Sequence, residues 1–353
     1  MTNISKSDAA TKGVIVFGDS PFVSITEVNE LAAHLGWPVL PEPTAAPWFL
    51  PNYLAHAPLV AEKVSASLAN EIETIFAIGR VGLSRPINAL LAKVGTSKYW
   101  ACAPALISQP GDYRLLPHIP RLADLASEPQ PTWLKRWREA SDAIEAAIAP
   151  VVESQHLSGV GVIRAVVQAL RSGDVLHLGS SYSARDVEMY AAQNETSAFT
   201  AGEVSVYMNR GVNGIDGVIS TAIGEALATS RPTYLICGDL TLLHDLNGLV
   251  LGADEPCPDI TLVVIDNDGG GIFSTLENAE AEGFERVIAT PLGKDISAIL
   301  RAIGVTTEVV TTSGELATHL RERPNGLKAI VARVGSREQE ARLRAKLRQV
   351  SLS

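Results

Sequence analysis

The chain has 353 residues, 46% hydrophobic and 19% charged, a balance that excludes wholesale disorder and predicts two or three domains. A net charge of −10 argues against a nucleic-acid binder that lives on phosphate contacts. Three cysteines, Cys102, Cys237 and Cys257, form neither a CxxC pair nor a disulfide framework, and no apolar run reaches about 18 residues, so a cytoplasmic chain without a membrane span or signal peptide is expected.

Short apolar runs recur from the N-terminus onward: VIVF (14–17), TIFAI (74–78), KYWAC (98–102), VLHL (175–178), VSVYM (204–208), TYLIC (233–237), ITLVVI (260–265) and KAIVARV (328–334). They are nearly continuous rather than alternating, as parallel strands covered on both faces are. Helical patterns of about 10–20 residues separate them. The alternation predicts an α/β chain with two doubly wound, mostly parallel-sheet domains. Gly18-Asp19-Ser20 closes the first strand but lacks GxGxxG, so it reads as a strand-end loop and disfavours a nicotinamide dehydrogenase. Polar, proline-rich ASEPQPT (126–132) suggests a boundary, giving domains 1–128 and 129–353. Trp133, Trp137, Ala140, Ile144, Ile148 and Val151 then recur at helical spacing, read as the first helix of the second domain.

The strand VLHL leads into LGSSYSARDVEMY (178–190), where Ser183 and Asp186 look like an N-cap pair, with Ser181 just before and Arg185 in the first turn. In MNRGVNGIDGVISTAIGEAL (208–227), Asn209 and Arg210 end a strand, and Gly211, Gly214 and Gly217 make a turn into a helix. Gly238-Asp239 directly follows TYLIC, and Asn267 follows ITLVVI 28 residues after Asp239. Polar groups at the C-terminal ends of strands stand where open α/β sheets bind ligands. Mg²⁺ takes hard oxygen donors, which the Asp239 carboxylate, the Asn267 amide and the Gly269 carbonyl can supply, while the glycines at 269–271 admit phosphates closely. Singly, GD and NDG are ordinary turn signals. The final helix, about 336–350, carries Arg337, Arg342, Arg344, Lys346 and Arg348 and reads as a solvated amphipathic face, with a partner-binding helix as the other reading. The histidines show no metal-ligand spacing and read as structural, His244 alone lying near the cofactor motif.

The GD…N pair resembles the metal motif of thiamine-diphosphate enzymes. With NRGVNGIDG, GDLTLLHDLNGL (238–249) and DNDGGGIFSTL (266–276), the chain closely resembles the 2-succinyl-5-enolpyruvyl-6-hydroxy-3-cyclohexene-1-carboxylate (SEPHCHC) synthases of menaquinone biosynthesis. The resemblance runs from about residue 13 to 335 and is strongest from 174 to 276. It implies Mg²⁺ or Mn²⁺ held by Asp239, Asn267 and the Gly269 carbonyl. It implies thiamine diphosphate contacted by Asn209, Gly211, Gly214, Gly238, Leu240 and Ile272, with Ile215 as the wedge beneath it. Ser181, Arg185, Arg210, Phe273 and Leu276 are the implied substrate residues, with Arg85 of the first domain as a further basic contact. Ile215, Arg210, Arg185 and Ser181 form the implied catalytic set. The implied reaction decarboxylates 2-oxoglutarate and adds the succinyl carbanion equivalent to isochorismate, in a homo-oligomer. The resemblance also implies a pyrimidine-binding domain with a glutamate that serves the aminopyrimidine. No counterpart is recognised in these residues, so the chain by itself is expected not to be a competent synthase. Another thiamine-diphosphate carboligase or decarboxylase, or a non-catalytic binding module needing a partner chain, are the alternatives.

Overall fold

The computed structural model describes residues 12–45, 50–64, 68–93, 96–102, 113–125, 129–153, 156–191, 204–209, 214–277 and 279–350. Among the site residues expected from the sequence, Arg210 and Gly211 lie outside this set. The chain divides into two compact units, the first running to Ala147 and the second comprising Ile148–Tyr190 and the described residues from 204 to Val350.

The first unit orders its strands β1 (Gly13–Phe17), β2 (Val39–Pro41), β3 (Thr74–Ile78), β4 (Ser97–Ala101) and β5 (Arg114–Leu116) as β2-β1-β3-β4-β5, all parallel. Helices α1 (Ile25–Leu35), α2 (Ala57–Val64) and α3 (Arg85–Leu91) intervene. Every residue of β1 and β3 is buried, which is why these runs lack a polar face. Ser24 and Glu27 form a reciprocal capping box that starts α1, and Gly36 at φ 67° ends it.

The turn at Gly18-Asp19-Ser20 is stitched shut across the β1/β3 switch point. The Asp19 N–H donates to the Arg80 carbonyl at 3.1 Å, and the Arg80 N–H returns the bond at 2.7 Å. A Cβ on Gly18 would fall 1.8 Å from the Arg80 carbonyl oxygen, so the close approach requires glycine.

The tryptophan-bearing helix, α4 (Pro131–Glu153), differs from its expected placement. Trp133 donates from Nε1 to the Gly13 carbonyl at 2.8 Å, Ser141 bonds the Ala55 carbonyl at 2.9 Å, and Glu145 meets His56 at 2.9 Å. These contacts place α4 up to Ala147 with the first unit, so the units divide at 147/148 rather than at 128/129. Arg136 of α4 and Lys12 both bond Glu71 at 2.7 Å, and together they hold its carboxyl down at about 2. The pair is partly exposed, so Glu71→Gln is expected to cost about 1 kcal/mol or less at neutral pH. A depressed carboxylate stabilises above its unfolded value, so this cost should fade as pH falls from 4.5 to about 2. Urea unfolding followed over that window checks it; a cost that persists at the acid end would contradict the ion pair.

The second unit carries β6 (Val175–Leu178), β7 (Ser205–Met208), β8 (Thr233–Gly238), β9 (Ile260–Asp266), β10 (Thr306–Val310) and β11 (Leu327–Arg333). Their order is β10-β11-β9-β8-β6-β7, all parallel. Helices α5 (Gly159–Ala169), α6 (Tyr182–Tyr190), α7 (Val218–Thr229), α8 (Asp239–His244), α9 (Ile296–Ala302), α10 (Ser313–Leu320) and α11 (Arg337–Arg348) connect them. From β6 the chain runs outward to β7 and then returns to β8 on the other side, so β6/β8 is a switch point of this sheet. The two sheets establish the α/β class with parallel strands throughout. No described helix is long and apolar enough to cross a membrane.

Candidate cofactor site

Residues from several segments gather at the C-terminal ends of β6, β7, β8 and β9. Gly238 of β8 pairs with Ile265 of β9, so the chain leaves adjacent strands at Asp239 and at Asp266-Asn267. Asp239 is buried, with 5% exposure. Its Oδ2 accepts from the Gly269 N–H at 2.7 Å, and its Oδ1 accepts from the Leu240 N–H at 2.7 Å. Burial pushes its carboxyl up to about 6. The two backbone donors oppose that rise, while Asp266 and Asp268 add to it. The charged side chains that act on Asp239 most strongly are both acidic. A buried carboxylate among like charges is suited to receive a cation.

The loop after β9 is held in an unusual backbone. Asp268 adopts φ 57° and Gly269 φ 126°. The Asp268 carboxylate accepts from the Leu292 and Gly293 N–H groups at 3.1 and 2.9 Å, and the Gly270 N–H donates to the Ala289 carbonyl at 2.7 Å. A Cβ on Gly271 would lie 2.5 Å from the Asn267 amide nitrogen, so glycine there leaves room for that amide. Among the described residues no three His, Cys, Asp or Glu side chains gather as a metal group. The donors expected from the sequence, one carboxylate, one amide and one carbonyl, would be a poor cage alone but suit a cation that also takes phosphate and water oxygens.

On the β6 side, α6 begins at Tyr182, one residue earlier than the expected cap. Ser183 and Asp186 are therefore not an N-cap pair, because both are buried inside the helix. Asp186 instead receives Arg344 of α11, whose Nε lies 3.2 Å from both carboxylate oxygens and whose Nη2 also bonds it. Ser181 sits just before the helix with φ 72°, and Arg185 projects half-buried from the first turn. Ser180 Oγ donates to the Gly214 carbonyl at 2.7 Å, bringing the β6 turn to the glycine turn before α7. Ile215 is half-buried in that turn.

Asn209, after β7, bonds inward. Its Oδ1 meets His177 Nε2 at 2.8 Å, and its Nδ2 donates to Thr221 Oγ1 at 3.1 Å. His177, fully buried in β6, faces Glu225 at 2.7 Å through Nδ1. Asp245 of the DLN run caps α7, accepting from the Ser220 N–H at 2.7 Å and its hydroxyl at 2.9 Å. His244 pairs with exposed Asp216 at 3.3 Å. Phe273 is 37% exposed, Leu276 and Ile272 are half-buried, and all three lie in or directly after the turn Gly271–Thr275. Arg85 opens α3 in the first unit, exposed.

Three residues here escaped the sequence reading. Tyr182 donates to Thr275 Oγ1 at 3.0 Å and lies under the Arg344 guanidinium, whose carbon is 3.8 Å from the ring centroid. Arg337 and Arg344, expected on a solvated face, are 8% and 5% exposed. Arg337 bonds the Asp268 carbonyl and pairs with Glu285, while Arg344 Nη1 reaches Glu340 at 2.7 Å. Burial opposes the Arg344 charge, but Asp186 and Glu340 outweigh it and hold the guanidinium above its ordinary value. The only signal was the spacing of basic residues along α11; Glu340 is a near neighbour on that helix, but Asp186 and Glu285 are distant in sequence.

Residues 187–331 match the family model described as thiamine pyrophosphate enzyme, C-terminal TPP binding domain. The chain is 34% identical over 337 residues to the 2-succinyl-5-enolpyruvyl-6-hydroxy-3-cyclohexene-1-carboxylate synthase of Saccharopolyspora erythraea, covering 93% of this chain and 57% of that protein. The enzyme of the same name from Nocardioides sp. is 32% identical over 352 residues, covering 94% and 63%. That from Mycobacterium sp. (strain KMS) is 36% identical over 299 residues, covering 79% and 52%. The chain therefore spans a little over half the length of these curated relatives.

Proposed function

Since the chain resembles the SEPHCHC synthases along nearly its whole length, we propose that its second unit grips thiamine diphosphate through a divalent cation. In this reading it serves the decarboxylation of 2-oxoglutarate and transfer of the succinyl unit to isochorismate. Asp239 carries the reading: a buried carboxylate at about 6, flanked by acids at a strand end, gains most from a bound cation. Mg²⁺ or Mn²⁺ would take the Asp239 carboxylate, the Asn267 amide oxygen and the Gly269 carbonyl, leaving its other positions to diphosphate and water. Gly238, Leu240, Asn209, Gly211, Gly214 and Ile272 would line the cofactor, and Ile215 would prop it from below with a stiff β-branched side chain. When bound, thiamine diphosphate supplies the nucleophilic carbon that attacks the 2-oxo group.

The chain's own part is to hold and orient. Arg185, with Arg210, would clamp substrate carboxylates with forked N–H donors. Ser181 at its left-handed turn would offer a hydroxyl to the same carboxylate, and Phe273 and Leu276 would wall the pocket against water. In this reading the residues around the cation hold the diphosphate end of the cofactor.

Arg185→Gln is expected to weaken 2-oxoglutarate binding about tenfold or more, as loss of a charged hydrogen bond costs about 1.5–3 kcal/mol. Thiamine diphosphate affinity should be unchanged. Calorimetric titration of each ligand checks this. Unaltered 2-oxoglutarate binding would favour a different thiamine-diphosphate decarboxylase or carboligase.

A further inference from the structure

The loop Asn267–Gly271 is over-determined from outside, and its most remote support comes from the C-terminal helix. Arg337, the first residue of α11, lies 69 positions beyond Asp268, yet its guanidinium donates to the Asp268 backbone carbonyl. The same guanidinium pairs with Glu285, which opens the short turn Glu285–Ala289. That turn returns to the loop, because the Ala289 carbonyl accepts the Gly270 N–H. Arg337 thus ties the loop and the turn together. It also fills the space beside Gly269, where an added Cβ would lie 2.9 Å from an Arg337 Nη and 2.5 Å from the Ala289 oxygen. At 8% exposure the side chain has left water to do this.

The held residue is the one that most needs holding. Asp268 is a non-glycine residue at φ 57°, a conformation that persists where surroundings enforce it. It stands between Asn267 and Gly269, whose amide and carbonyl oxygens are two of the three protein donors to the cation in the reading above. Tilting its peptide would turn both away.

We propose that Arg337 is a positioning residue for the cation site, acting through the Asp268 carbonyl and Glu285 to set the Asn267 and Gly269 oxygens. The proposal rests on the assignment of the cation to Asp239, Asn267 and Gly269. Outer-shell partners of metal ligands typically change affinity about 10–100-fold when removed.

The test titrates Mn²⁺, in the presence of thiamine diphosphate, into the full chain, reading free Mn²⁺ by electron paramagnetic resonance. Arg337→Met should weaken Mn²⁺ by about tenfold or more, with Arg337→Lys recovering part of the loss. Glu285→Gln should weaken it less, since Arg337 keeps its bond to Asp268. Amide exchange at Gly269 and Gly270 should accelerate in Arg337→Met while exchange in β9 and β11 does not, a local loosening that a general loss of stability would not produce. Should the methionine variant fail to fold, Arg337→Lys and Glu285→Gln carry the same comparison. Mn²⁺ affinity within twofold of wild type in these variants, with Asp239→Ala abolishing binding, would overturn the role of Arg337 and leave the cation site standing. Equal Mn²⁺ uptake by wild type and Asp239→Ala would overturn both.

Discussion

Asp239→Asn is expected to abolish Mg²⁺-dependent binding of thiamine diphosphate and to change how the stability of the metal-free chain varies with pH. The folded carboxyl sits at about 6 against an ordinary value of 3.8, raised chiefly by burial. At pH below 3.8 it is protonated in both folded and unfolded chains and costs nothing. As pH rises from 3.8 to about 6 the unfolded chain ionises it first, so stability falls across that window and stays lower above it. The loss amounts to about 3 kcal/mol, from about 1.4 kcal/mol per pH unit. Asparagine faces two N–H donors that a carboxylate accepts from, which adds a cost independent of pH. The difference between variant and wild-type unfolding curves should therefore drift toward the variant between pH 4 and about 6 and then level off. A flat difference would mean that Asp239 is not a buried, unneutralised carboxylate. Because cations bind the ionised form, metal affinity should climb through the same window.

Arg344→Met is expected to destabilise the second unit by about 3–5 kcal/mol, the usual cost of removing one partner from a buried ion pair. It strands two carboxylates, Asp186 at 2% exposure and Glu340 at 3%, and uncovers the Tyr182 ring that the guanidinium lies over. Glu340 also accepts from the Gly159 N–H at 3.1 Å, so the start of α5 loosens with it. Far-UV circular dichroism is the appropriate probe, because all five tryptophans lie at or before Trp137 and their fluorescence reports the first unit. Adding Asp186→Leu to Arg344→Met should recover part of the loss, since replacing a buried pair by apolar groups costs far less than breaking it. A midpoint for Arg344→Met indistinguishable from wild type would show that this pair does not hold the unit. The consequence is local: Asp186 lies on the same helix as Arg185, so the placement of α6, and of Arg185 in its proposed role toward substrate, depends on the ion pair.

What the sequence revealed follows from which interactions are local. The eight apolar runs all became strands; in most of them burial on both faces leaves an uninterrupted apolar signature, whereas β7 is an edge strand with Tyr207 exposed. Strands β2 and β5 have only three residues each, too short to stand out, and β10 is an edge strand that opens on the polar run Thr306-Thr307-Glu308 before its two valines. Asp239 and Asn267 were legible because turn chemistry directly after a buried strand is a local pattern. The pairing of Arg344 with Asp186 was not, because Asp186 lies 158 residues away and basic residues at helical spacing look alike whether solvated or buried. Nor could the spacing of α4 say which sheet its tryptophans would meet. His177 read as one polar residue in an apolar strand, and only the fold shows it between Glu225 and Asn209.

A calorimetric titration of thiamine diphosphate into the full chain, with Mg²⁺ and then with EDTA, asks whether the second unit holds the cofactor by its diphosphate through a cation. Binding heat that appears with Mg²⁺, vanishes with EDTA and is not reproduced by thiamine lacking the diphosphate is the expected result. Binding indifferent to the metal, or thiamine bound as tightly as its diphosphate, would contradict it.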